Sequence, residues 1–232
     1  MPSYKLISFS KGGSTELAEP IRFLFIYAGI QFDDERYDSE DWIKFFWLFK
    51  STIPFGKAVL EVDGKKIDQS VAVGRYLAKQ CGLAGKNNWE SLEIDATVDT
   101  IHDLRANIFA FYYFESTCAS TLQDEQNEEN FMLNKYAKFK AVRETAPYYL
   151  ERLDAQVKKN GGYFVGGTLT WADLTFVALL RHLNGMMNED IVEKYENLKQ
   201  LQKKVEEMPY IKSWIEYRPP TIYPTWRGVL YF

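Results

Sequence analysis

The feature that most restricts the fold is a change of pattern near residue 82. Before it, strand-like runs alternate with helical runs; beyond it only the helical period recurs. Tyr4 to Phe9 reads as a short strand, broken by Gly12 and Gly13. Glu16 to Ala28 has helical spacing, with Leu17, Ile21, Leu24 and Phe25 on one face. Pro20 falls in its first turns, where a missing N–H does least harm. Gln31 to Tyr37 reads as a second strand, and an aromatic stretch follows from Trp42 to Phe49. Ala58 to Val62 is the clearest strand. Asp63-Gly64 then gives a hairpin turn into Lys65-Lys66-Ile67, and Gln69 to Cys81 is helical. The predicted order is β-α-β-α-β-β-α.

After Gly85-Lys86-Asn87-Asn88 a long amphipathic helix is predicted over Ser91 to Glu115, with Ile94, Val98, Ile101, Leu104, Ile108 and Phe111 on one stripe. The period returns over Phe131 to Lys159, Glu193 to Glu207 and Tyr210 to Tyr217. Thr170 to Leu183 is apolar nearly all round, the pattern of a buried central helix. The expected fold class is α/β plus all-α. An α/β domain occupies 1–81, a helical domain 91–222, and an apolar extension 223–232.

Charge and composition exclude several functions. With 28 Lys plus Arg against 32 Asp plus Glu, the net charge is −4, a poor balance for holding nucleic acid. Two cysteines, Cys81 and Cys118, exclude a disulfide scaffold and argue against a multi-thiolate zinc site. No run is long and apolar enough to span a membrane, and MPSYKLISF does not read as a signal peptide. A cytoplasmic location is expected, without membrane or nucleic-acid partners.

Four groups of residues invite a chemical reading. Gln69-Ser70 opens a helix after the hairpin, where free N–H groups bind carboxylates; the plainer alternative makes Ser70 an N-cap. Thr170-Trp171-Ala172-Asp173 is a capping box that starts the buried helix. Asp95, Asp99 and Asp103 share a helix face beside His102, a stripe that lacks further ligands and reads as solvated or subunit-facing. Trp42, Phe45, Phe46, Trp47 and Phe49 crowd together, flanked by Lys50 and Lys57, cations that suit a ligand carboxylate.

Taken together, these segments resemble the cytosolic glutathione transferases of the sigma class. The matching runs are Tyr4-Lys5-Leu6, LAEPIRF at 17–23, Asp41-Trp42, KSTIPFG at 50–56, LEVDGK at 60–65, QSVAVGRYLAK at 69–79, VDTIHDLR at 98–105, GTLTWADL at 167–174 and WIEYRPPT at 214–221. They span nearly the whole chain. The resemblance implies a thioredoxin-like domain that binds glutathione, followed by a helical-bundle domain. It implies that Gln69 and Ser70 hold the γ-glutamyl carboxylate, and that Trp42 and Lys50, helped by Lys57, hold the glycine end. The Ala58 backbone would face the cysteinyl unit. Asp103 would reach the glutathione amine from a second subunit, which calls for a homodimer. The metal-binding acidic set of a vertebrate relative is broken by His102, so no metal is expected.

The chain also departs from the family. The catalytic tyrosine that ends the first strand is Ser8 here, and the loop after it is longer. The proline before the third strand is missing, so Ala58 takes a strained peptide or the loop is rebuilt. The wider spacing between Trp42 and Lys50 makes Trp47 a rival for the tryptophan role. A hydroxyl at Ser8, Ser10 or Ser14 is the candidate thiol donor. Phe9, Ser10, Arg105, Phe109, Thr175 and Leu179 are expected to line a pocket for a small hydrophobic electrophile, with Trp226 of the extension at its mouth. Two functions fit: a glutathione transferase or glutathione-dependent isomerase, or an impaired relative that binds a hydrophobic ligand or serves a structural or storage role.

Overall fold

The computed structural model describes residues 2–9, 17–37, 41, 44, 58–118 and 144–218, with Phe9 and 111–118 described by backbone alone. The strands are β1 (Tyr4–Phe9), β2 (Asp33–Tyr37), β3 (Ala58–Val62) and β4 (Lys65–Ile67). They form one four-stranded mixed sheet in the order β2-β1-β3-β4. β1 runs parallel to β2 and antiparallel to β3, so Ser8 lies between Arg36 and Ala58. β3 and β4 are joined at Asp63-Gly64, whose φ angles of 49° and 81° give the doubly positive turn that matches strand twist.

Helix α1 (Glu19–Ala28) follows β1. It starts three residues later than its apolar spacing alone predicts, with Pro20 in the first turn as expected. Ile21, Phe23, Leu24 and Phe25 are all buried, and the Phe25 ring meets Tyr4 of β1 at 5.3 Å. Helix α2 (Ser70–Gln80) buries Val73, Leu77 and Ala78.

Beyond residue 82 the described regular elements are all helical: α3 (Asn88–Cys118), α4 (144–159), α5 (Trp171–Met187), α6 (Glu196–Glu206) and α7 (Pro209–Tyr217). α3 begins three residues earlier than predicted. The Asn87 carboxamide oxygen accepts from the N–H groups of Trp89 and Glu90, and Glu90 accepts from the Lys86 N–H. The spacing Asn87-x-x-Glu90 is a capping signal.

α5 is the central helix, with Leu174, Phe176, Leu179 and Leu183 sealed from solvent. Its start is fixed by Asp173, which accepts from Thr170 N–H and Oγ1–H at 2.7 and 2.8 Å and from Phe164 N–H at 2.8 Å. Burial pushes this carboxyl up to about 6 against the pull of those hydrogen bonds. α5 touches α1, α2 and α3, so it binds the sheet half of the molecule to the helical half.

Candidate functional site

At the start of α2, Gln69 holds φ 75° and ψ 89°, a left-handed conformation that a side chain adopts at a cost of about 1 kcal/mol. Ser70 is the first helical residue and not the cap, and no side chain caps the helix. The only described backbone return is Val73 N–H donating to the Gln69 carbonyl at 3.0 Å. The N–H groups of the first turn therefore point outward with the positive end of the helix dipole, beside the Ser70 hydroxyl and the exposed Gln69 carboxamide. This arrangement suits a carboxylate.

At the same end of the sheet, two strands away, Ser8 is fully buried at 0 % exposure. Its neighbour is Arg22 of α1, equally buried, which donates from Nη2 to Ser8 Oγ at 2.8 Å. The rest of the Arg22 guanidinium is spent on carboxylates. Nε and Nη2 donate to Asp34 of β2 at 2.9 to 3.1 Å, and Nη1 donates to Glu19 at 3.3 Å. Arg36 donates to the same Asp34. Burial disfavours charge on Asp34, but its bonds and attraction to Arg22, then to Arg36, win and hold its carboxyl below the ordinary range.

The last helix joins this cluster. Trp214 Nε1 donates to Glu19 Oε1 at 2.9 Å, Arg218 Nη1 donates to the same oxygen, and Arg36 sits 5.6 Å from the centre of the Trp214 ring. The sequence reading did not single out this network. Its signal was the pair Glu19 and Arg22, two charges inside the apolar run LAEPIRF, at the spacing that places them on one helix face.

Where α3 meets α5, the Arg105 guanidinium lies 4.9 Å from the centre of the Phe109 ring, and both residues keep some exposure. Thr175 and Leu179 are sealed in the core at 1 % and 0 %, so the α5 side of the expected pocket is packed with protein. His182, two turns beyond Thr175, is pushed down to about 3, first by burial and then by the charge of Arg105. On the outer side of α3, Asp103 is exposed, while Asp95 is taken by Arg75 at 2.8 Å. His102 is held below its ordinary value by burial, against the opposing pull of Asp99 and Asp103. Among the described residues no group of three or more His, Cys, Asp or Glu could hold a metal ion.

Ala58 opens β3 as the antiparallel partner of Ser8. No described peptide is cis. Ser10, Ser14, Trp42, Trp47, Lys50, Lys57 and Trp226 lie outside the described residues, as does the Phe9 side chain.

Residues 102–218 match the family model "Glutathione S-transferase, C-terminal domain". The chain is 38 % identical over 222 residues to a glutathione S-transferase of Anopheles gambiae, covering 95 % of this chain and 99 % of that one. It is 34 % identical over 224 residues to the hematopoietic prostaglandin D synthase of Homo sapiens, covering 95 % and 99 %. Prostaglandin synthase D of Nilaparvata lugens, a solved structure, matches with a TM-score of 0.74 at 39 % identity, covering 94 % of this chain and 100 % of that one. A mixed four-stranded sheet followed by a helical domain is the fold of these proteins, and the chain belongs to the glutathione S-transferase family.

Proposed function

We propose that the chain is a cytosolic glutathione transferase of sigma type, which binds glutathione and conjugates its sulfur to small hydrophobic electrophiles or uses it in a glutathione-dependent isomerisation. The observation that carries this reading is the uncapped start of α2, held open by the left-handed Gln69 with Ser70 behind it. The γ-glutamyl carboxylate would accept from the first-turn N–H groups and the Ser70 hydroxyl. The cysteinyl backbone would pair beside Ala58, and the glycine end would meet Trp42, Lys50 and Lys57. Exposed Asp103 suits a contact with the glutathione amine across a subunit boundary, so we infer a homodimer. The family's role in detoxification fits this reading.

The chemistry requires a thiolate. A thiol with a pKa near 8.5 is only a few per cent ionised at neutral pH, and lowering it by two units needs about 2.7 kcal/mol. A hydroxyl donor aimed at sulfur supplies part of this, as do the N–H groups at the start of α1. Ser8 is sealed and already accepts from Arg22, which favours Ser10 or Ser14 as the donor. The electrophile would meet the thiolate on the side of Phe9, Arg105 and Phe109, with Thr175 and Leu179 behind them and Trp226 at the mouth.

The same burial of Ser8 favours the second reading, a relative that binds glutathione or an apolar ligand without turnover. Retention on glutathione-agarose, paired with an assay on a generic electrophile, separates the two. Retention with turnover is the expected result. Retention alone selects the second reading, and neither one overturns both.

A further inference from the structure

Arg22 ties together the two elements that frame the thiol in the proposed function. Its Nη2 holds Ser8 at the end of β1 at 2.8 Å, and its Nη1 holds Glu19 in the first turn of α1 at 3.3 Å. Glu19 has a second oxygen, and that oxygen is held from the far end of the chain. Trp214 and Arg218, 195 and 199 residues further along, both donate to Glu19 Oε1. The side chains of Glu19 and Arg218 are 3 % and 5 % exposed, so water does not compete for these bonds. Asp34 and Arg36 close the cluster against β2.

We propose that Trp214 and Arg218 of the last helix are positioning residues for thiol activation, acting through Glu19 and Arg22 on the end of β1 and the start of α1. This rests on the reading that glutathione binds with its thiol between those two elements. Neither residue touches the thiol in this scheme. The S–H bond breaks, its proton leaves to solvent, and the charge on sulfur is stabilised by donors whose placement depends on the Glu19 anchor. A thiolate donor displaced by about 1 Å loses most of its hydrogen bond. A defect in the last helix would therefore reach the chemistry without any contact with substrate.

The test uses the full chain carrying Trp214→Phe, which keeps an aromatic ring and removes one donor, together with Arg218→Met and Arg218→Lys. The ultraviolet absorbance of bound thiolate is titrated against pH. Affinity for S-methylglutathione, which has no thiol, and thermal stability are measured in parallel. Trp214→Phe and Arg218→Met should each lower the bound thiolate fraction at pH 7 by about threefold or more. S-methylglutathione affinity should stay within about twofold, because the start of α2 is untouched. Arg218→Lys should retain more thiolate than Arg218→Met, and the double variant should fall short of the product of the singles, since both donors share one oxygen. An unchanged thiolate fraction in both single variants, with only thermal stability reduced, makes the contact structural and overturns the proposal. So does an unmutated protein that binds glutathione without acidifying its thiol. Failure to bind S-methylglutathione or glutathione at all removes the functional reading itself.

Discussion

At the scale of single residues, the proposed site depends on polar groups that the fold leaves open to a ligand. Ser70 is the clearest. Ser70→Ala removes a hydroxyl that would donate to a carboxylate, a bond of about 1.5–3 kcal/mol. Glutathione affinity should fall at least about tenfold while the fold is retained; unchanged retention on glutathione-agarose would remove Ser70 from the site. His182 makes a different prediction. Its folded form stays neutral to about pH 3, while the unfolded chain takes up a proton near the ordinary value of 6.5. Protons therefore favour the unfolded state across that window, and the contribution of this residue to stability is lost as pH falls from about 6.5 toward 3. His182→Leu should flatten the acid side of the stability profile measured by urea unfolding at a series of pH values. An unchanged slope would show that His182 charges freely in the folded protein.

Residue identity was legible in sequence where a local signal exists. Gln69-Ser70 and Thr170-x-x-Asp173 both announce helix starts, and both start helices, although Ser70 proved to be the first helical residue and not the cap. The setting of Ser8 was not legible. Its partner Arg22 lies fourteen residues on and its depth depends on packing, which no spacing rule reports. For the same reason Thr175 and Leu179 read as pocket walls, yet they are sealed in the core.

At the scale of elements, the α2–α5 contact is one of the places where the two halves meet. It works because Gly74 has no side chain: a Cβ there would sit 3.1 Å from the Trp171 ring. One methyl requires that ring to yield by a few tenths of an ångström, and the helix gains about 1 kcal/mol from replacing glycine, so Gly74→Ala should be nearly neutral. Gly74→Val adds two more carbons against an immobile indole and should cost about 1–3 kcal/mol. Thermal unfolding of both variants checks this, and a valine variant as stable as the alanine one would show that the contact is loose. The periodicities gave the number and order of the described elements well. They gave the ends less well, because caps such as Asn87 with Glu90 are side-chain events outside the apolar period.

At the scale of the whole molecule, the first third and the last helix share one buried ionic cluster. Glu19, Arg22, Asp34, Arg36 and Arg218 are individually costly to bury and are stable only as a set; removing one partner from such a set costs about 3–5 kcal/mol. The cluster makes the last helix part of the environment of β1 and α1, and it joins residues almost two hundred positions apart. Pattern reading works within a window, so the change of period near residue 82 gave the order of the two domains, while a link of this length escaped it.

The central claim is that a glutathione carboxylate binds the open start of α2. Titration calorimetry with glutathione, and with an analogue lacking only the γ-glutamyl α-carboxylate, tests it most directly. The account predicts saturable binding of glutathione and an affinity for the analogue lower by about tenfold or more. Equal affinity for the two ligands, or no binding of glutathione, would contradict it.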